Sequence, residues 1–174
     1  MQYLRKQIDQ PLILSAENGL CLNIYVDAAF GCHDDGRSHT GLVVKLGDAS
    51  VMAKSSKQKI VTKDSTEAEL VGLSDKLSDA MMCAEFMEEQ GHMECSVPVL
   101  MQDNRSTISL VTVGGGKFRN KHLKVRKFLV KEKVDGGEIK VCYCPTNQMI
   151  ADILTKPLQG ELFRMLRSKV VNSN

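Results

Sequence analysis

Several carboxylates in this 174-residue chain stand where a reaction centre could form. Asp27 lies inside LCLNIYVDAAF, a short apolar, β-branched and aromatic run from Leu20 to Phe30 that reads as a strand. A carboxylate between Val26 and Ala28 in such a strand is costly to bury unless it is paired or bound to a cation. Glu67 and Glu69 fall in the first turn of a long amphipathic helix. Asp103 closes the apolar run VPVLMQD directly before another helix, and Asp152 sits in ADIL near the C-terminus. Each of these four also has a plain structural role, as a helix-dipole charge for Glu67, Glu69 and Asp152 and as an N-cap for Asp103. As a group they point elsewhere. The strands bearing Asp27 and Asp103 can lie side by side, and clustered carboxylates repel one another unless a cation neutralises them. Hard oxygen donors with open water positions suit Mg²⁺ or Mn²⁺. Two such ions about 3.5–4 Å apart can activate a water and stabilise the leaving oxygen of a phosphodiester.

The charge distribution adds a partner. Net charge is only +2, so the chain is not a polycation. Between Lys117 and Lys133, however, eight Lys/Arg and one Glu give a local +7, leaving 15 basic and 20 acidic residues elsewhere. The basic stripe suits a polyanion, and the acidic remainder suits metal binding or is simply surface. Along this stripe Lys121, Lys124, Arg126, Lys127 and Lys131 are candidate phosphate contacts. Lys124, Lys127 and Lys131 share one helical face, with Leu123, Val130 and Val134 expected toward the core. Acidic cluster and basic stripe together suggest a nuclease.

The elements that must position these groups follow from the hydrophobic pattern. After the strand carrying Asp27, GLVVKL and SVMAKSS read as two more strands joined by tight turns, an antiparallel meander. Leu70, Leu73, Leu77, Met81 and Ala84 keep the spacing of one buried helix face, with Asp64, Ser65 and Thr66 as candidate N-caps and Gly91 as a stop. Glu67 and Glu69 flank this face on opposite sides, and periodicity does not choose between them. A short strand ending at Asp103, a helix over 104–113, the basic helix over 120–134, the strand EIKVCYC, and helices over 149–156 and 161–170 complete the order β-β-β-α-β-α-α-β-α. Helix crossovers place the later strands parallel to the first, giving a mixed sheet with helices on its faces. The 43% hydrophobic and 25% charged content excludes wholesale disorder. No apolar run reaches the roughly 18 residues of a membrane helix. The six cysteines show no C-x-x-C pair and are expected as reduced thiols, mostly in the core.

The segments YVDAAF, RSHTG, SSKQK, STEAEL, QDNRSTISL and YCPTNQMIADILTKPL run in this order from Tyr25 to Leu158, followed by LQGELFRMLR. In combination they resemble the ribonuclease H domain at the end of the Pol polyprotein of copia-type LTR retrotransposons (pseudoviruses). The resemblance implies an α/β, ribonuclease H-like fold with a five-stranded mixed sheet, an antiparallel meander plus two parallel strands, and helices on both faces. It implies a type 1 ribonuclease H that hydrolyses the RNA strand of RNA/DNA hybrids with two Mg²⁺, for which Mn²⁺ can substitute. Asp27, Asp103 and Asp152 match the family's three aspartates. Glu69, directly before Leu70, Val71 and Gly72, fits the helix glutamate better than Glu67. In this reading Asp27 bridges both metals, Glu69 and Asp103 hold the ion nearer the leaving oxygen, and Asp152 completes the site of the water-activating ion.

Ser65, Thr66, Asn104 and Arg105 neighbour these acids and are candidate substrate contacts, as are Lys121, His122, Lys124, Lys127 and Lys131 on the basic helix. Two departures stand out. Ala28 replaces the glycine that many cellular enzymes carry after the first aspartate, and CPTNQMIAD lacks the histidine that often precedes the last, with Asn147 or Gln148 as possible substitutes. The resemblance further implies residues 1–19 as the tail of an upstream reverse-transcriptase or connection region, 20–170 as the ribonuclease H domain and 171–174 as a tail. The partners implied are the hybrid and that upstream domain, with no membrane, and the location is a cytoplasmic virus-like particle or the nucleus. Two other readings are a non-catalytic or weakly active hybrid-binding module, and an integrase-like strand-transfer core. The order of the acids, with the glutamate before Asp103, disfavours the second.

Overall fold

A computed structural model describes residues 8–15, 19–92, 97–116, 118 and 120–173. Three strands open the domain: β1 (Leu22–Ala29), β2 (His39–Leu46) and β3 (Ala49–Lys57). Each pairs antiparallel with the next, as the tight turns require. The long helix α1 (Ser65–Glu89) follows, then β4 (Val99–Gln102), α2 (Arg105–Thr112), α3 (Lys121–Asp135) and β5 (Lys140–Tyr143). The sheet order is β3-β2-β1-β4-β5, with β4 parallel to both β1 and β5. These are the expected five strands in the expected mixture.

Side chains alternate across β1, so Leu22, Ile24 and Val26 face one side and Tyr25 and Asp27 the other. The first side meets Leu42, Val44 and Leu100 of the sheet and Leu70, Leu73, Leu77, Val111 and Val130 of α1–α3 in the main core. On the second side, Val43, Ile150 and Leu166 form a smaller cluster with Tyr25, under the C-terminal helix α4 (Gly160–Val171). Helices therefore cover both faces. The helix expected over 149–156 is instead a pair of 3-10 turns, Thr146–Gln148 and Ile150–Leu154. Its backbone closes through i→i+3 bonds from Asp152 N–H to the Met149 carbonyl (3.1 Å) and from Thr155 N–H to the Asp152 carbonyl (3.2 Å).

Residues 1–7 and 16–18 of the expected upstream tail lie outside the described residues. The described piece, 8–15, runs beside the end of α4, where Ile13 N–H donates to the Val171 carbonyl at 2.9 Å and Gln10 Nε2 to Ser173 Oγ at 3.1 Å. The five described cysteines are free but mostly not in the core. Cys21, Cys32 and Cys142 are exposed, Cys83 is half-buried and Cys144 buried, while Cys95 is outside the described residues. Two of these thiols sit on exposed turn or loop positions and Cys142 on an edge strand, where side-chain alternation does not guarantee cover. No helix among the described residues is long and apolar enough to cross a membrane.

Candidate active site

The parallel register of β1 and β4 is what brings two acids together. Tyr25 pairs with Met101, so Asp27 and Asp103 each lie two residues past the same rung, at the same edge of the sheet. Glu69 reaches this edge from the first turns of α1. One carboxylate oxygen from each of Asp27, Glu69 and Asp103 lies within 4.8 Å of the other two. Asp27 and Glu69 are almost fully buried, at 1% and 4% exposure, and Asp103 is half-buried.

The two glutamates take different places in the structure. Asp64 is the N-cap of α1, its carboxylate accepting from Glu67 N–H at 2.9 Å. Glu67 Oε2 in turn accepts from Lys63 N–H at 2.9 Å, one residue before the cap, which adds to the closure of the helix start. Glu69 faces inward instead. Its Oε1 accepts from Ala28 N–H at 3.2 Å and its Oε2 from Gln102 Nε2 at 3.2 Å. Burial pushes the Glu69 carboxyl well above its usual range, and the charges of Asp27 and Asp103 push it further against these two hydrogen bonds. Asp103 is not a cap, because Asn104 takes that role by accepting from Thr107 N–H at 3.1 Å. Asp103 Oδ2 accepts instead from Thr146 Oγ1 at 2.9 Å.

Asp152 lies at the same edge but meets the others through a lysine. Lys156 Nζ stands 2.8 Å from Asp152 Oδ1 and 3.4 Å from Asp27 Oδ1. Thr155 Oγ1 also donates to Asp27 Oδ2. Burial, with Lys156 opposing it and Asp27 adding to it, raises the Asp152 carboxyl from 3.8 to about 6. The 3-10 turns carrying these residues are seated on β2 at Gly41, which pairs with Asp27 across β1 and β2. A Cβ there would lie 2.8 Å from the Ala151 carbonyl oxygen and 3.0 Å from Leu154 Cβ. Ser55 of β3 adds a hydrogen bond from Oγ to the Leu154 carbonyl at 2.9 Å.

The proposed substrate contacts divide into two groups. Ser65 and Arg105 are exposed near the carboxylates, with Thr66 and Asn104 half-buried between them. The Arg105 guanidinium lies 4.3 Å from the centre of the Tyr143 ring. On α3, Lys121, His122 and Lys124 are exposed, but Lys127 is buried among Leu123 and Val130 and donates to the Gly115 carbonyl. Lys131 donates to the Thr112 carbonyl at 2.9 Å and to Asp135. Both therefore brace α3 against the α2–α3 connection, because a long alkyl stem can lie in the core while its ammonium finds a carbonyl. Lys57, Lys59 and Lys76, given no role by sequence reasoning, line a crevice of about 390 Å³ together with Asp75 and Arg126, which pair with each other. Gly41, Gln102, Thr146, Thr155 and Lys156 were also missed as site residues, although each falls within one of the motifs quoted above.

No protein-family model matches the chain. It is 30% identical over 171 residues to the retrovirus-related Pol polyprotein from transposon RE1 of Arabidopsis thaliana, covering 98% of this chain and 12% of that protein. A Gag-Pol polyprotein of transposon Ty1-ER2 from Saccharomyces cerevisiae is 28% identical over 152 residues, 87% of this chain and 9% of the relative. Among solved structures, LC11-RNase H1 isolated from compost superposes with a TM-score of 0.58 at 18% identity, covering 78% of this chain and 92% of that one. The N-terminal RNase H domain of rv2228c from Mycobacterium tuberculosis gives 0.56 at 15% identity, covering 86% and 98%. This chain is a ribonuclease H-fold domain of the retrotransposon Pol type. The chain spans only about a tenth of the length of the curated Pol relatives it matches, and among the described residues Asp27, Glu69 and Asp103 are the one group of acidic, His or Cys side chains close enough to share an ion.

Proposed function

We propose that this ribonuclease H domain is a metal-dependent endonuclease that cleaves the RNA strand of RNA/DNA hybrids during reverse transcription of a retrotransposon. The observation that carries the reading is the convergence of Asp27, Glu69 and Asp103, two of them buried, with Asp152 beside Asp27. Buried like charges at this separation call for a cation, and an all-carboxylate set of hard oxygen donors fits Mg²⁺ or Mn²⁺. When bound, such ions supply an activated water and charge stabilisation at the phosphodiester. Asp27, Glu69 and Asp103 would hold one ion, and Asp27 with Asp152 would hold a second. Gln102 holds Glu69 through Nε2 and accepts from Asn104 N–H through Oε1 at 2.8 Å, so the helix glutamate and the start of α2 are set together. Thr146 orients Asp103, and Thr155 orients Asp27.

Recognition of the hybrid would combine 2′-hydroxyl contacts beside the acids, from Ser65, Thr66, Asn104 and Arg105, with phosphate contacts from Lys121, His122 and Lys124. LC11-RNase H1 has been solved in complex with an RNA/DNA hybrid, at a TM-score of 0.54 to this chain, which supports the substrate class. The Pol relatives support a reverse-transcriptase region in the same polyprotein as the natural neighbour. Action in a cytoplasmic virus-like particle, or in the nucleus, belongs to the same proposal.

The test is cleavage of an end-labelled RNA/DNA hybrid in Mg²⁺ or Mn²⁺, beside duplex RNA, duplex DNA and single-stranded RNA. RNA-strand cleavage confined to the hybrid and lost in Asp103→Asn is expected. Hybrid binding without cleavage in either metal would overturn the catalytic reading in favour of a positioning module.

A further inference from the structure

The geometry points to Lys156 as a built-in counter-cation, which holds Asp27 and Asp152 together in the metal-free domain and must leave before a divalent ion can lie between them. The inference rests on the metal-centre reading above. Asp27 and Asp152 carry side chains only 2% and 4% exposed, yet they face each other across a gap that a single ammonium bridges. Lys156 Nζ is 2.8 Å from Asp152 Oδ1 and 3.4 Å from Asp27 Oδ1. An ion held by both carboxylates would need the place between them that the ammonium takes, so the lysine and the ion are alternatives.

The placement of Lys156 is built into the local chain. Lys156 N–H donates to the Asp152 carbonyl at 2.9 Å, closing the turn so that residues four apart share a face. Thr155, the residue between, donates to Asp27 and to the Asp152 carbonyl (3.3 Å), tying the turn to β1. Pro157 follows and has no N–H to extend the turn. The lysine side chain is 36% exposed, so its four-carbon stem has an open path to solvent when the ammonium is displaced.

The opposite flank of the cluster is built differently. Asp27, Glu69 and Asp103 converge there, and the donors that hold Glu69 are an amide side chain and a backbone N–H rather than a cation. The two halves of the site should therefore fill unequally. One ion binds on the Glu69 side without competition, and the second competes with Lys156.

Mn²⁺ binding to the whole chain at fixed pH and salt, followed by electron paramagnetic resonance, tests this alongside thermal melting in chelator. Wild type is expected to bind one ion tightly and a second weakly. Lys156→Met should tighten the second ion by on the order of tenfold, the worth of one charge-assisted hydrogen bond, and should lower the melting temperature in chelator. Lys156→Arg should stay near wild type in stability. Adding Asp152→Asn to Lys156→Met should restore the melting temperature, a rescue that a purely packing role for the lysine would not produce. If Lys156→Met does not fold without metal, folding of that double variant in chelator supports the inference and its failure overturns it. Unchanged second-ion affinity and unchanged stability in Lys156→Met overturn the counter-cation role while leaving the metal centre standing. Absence of Mn²⁺ binding in wild type overturns both.

Discussion

Replacing Gly41 with alanine tests whether the seat of the Asp152 segment controls the chemistry. The new Cβ would lie 2.8 Å from the Ala151 carbonyl oxygen, 2.9 Å from Thr155 Cγ2 and 3.0 Å from Leu154 Cβ. Carbon–carbon contacts settle at about 3.5–4.0 Å, so the segment must retreat by roughly 0.5–1 Å. Two of the three contacts are to backbone or to a Cβ, which no rotamer change relieves. Overpacking of this kind costs about 1–3 kcal/mol. In a domain of this size that is roughly 3–10 °C in Tm. The same retreat carries Asp152 and Thr155 away from Asp27, and a displacement near 1 Å at a reacting centre costs about a hundredfold in rate. Hybrid cleavage under single-turnover conditions, with a thermal melt of the same preparation, reads both effects. A Gly41→Ala protein with wild-type rate and Tm would refute the seating role. A lowered Tm with an unchanged rate would refute its link to catalysis.

Three further outcomes follow from the geometry. Gln102→Ala removes the amide between Glu69 and Asn104 and should weaken Mn²⁺ binding about 10–100-fold, measured by calorimetry; unchanged affinity would show that Glu69 needs no such support. Lys127→Ala should lose roughly 1–3 kcal/mol of stability with its buried stem and charged hydrogen bond but keep the salt dependence of hybrid binding, whereas Lys124→Ala should keep stability and reduce the salt slope by about one. The converse pattern would return Lys127 to the nucleic-acid surface. The third outcome concerns pH. Burial raises Asp152 to about 6, so the folded state holds this proton more tightly than the unfolded chain does. Its contribution to stability is present below about pH 4 and is lost as the pH climbs through about 6. The difference in Tm between wild type and Asp152→Asn, both in chelator, should therefore change across pH 4–6 and level off above it, while Mn²⁺ affinity falls as the pH drops below 6. A pH-independent difference would contradict the burial of Asp152.

Much of the domain is written in short-range pattern. The alternation and β-branching of 20–30, the turn residues after it, and the 3/4 spacing of Leu70, Leu73 and Leu77 are local signals, and they specify β1 to β3 and α1 without knowledge of the rest. Asp27 stood out for the same reason, as a charge in a segment whose neighbours demand burial. The motifs shared with the retrotransposon family placed Asp103 and Asp152 in the same group. What local pattern did not contain is which groups meet. Glu67 and Glu69 flank the same helical face, and only the cap formed with Asp64 and Lys63, set against the approach of β1 and β4, separates a helix-closing acid from a cluster acid. Lys127 shares its spacing with Lys124, yet the packing of α3 on α1 and α2 turns one inward and leaves the other in solvent. The segment around Asp152 has helical composition, but its close seat on Gly41 accompanies a tighter 3-10 path that delivers Thr155 and Lys156 to Asp27. Most of the elements and the chemical inventory are legible in the chain alone, because those depend on residues a few positions apart. Tertiary structure decided the pairings within the site, because strand register, helix rotation and backbone approach are set by contacts between segments up to 129 residues apart.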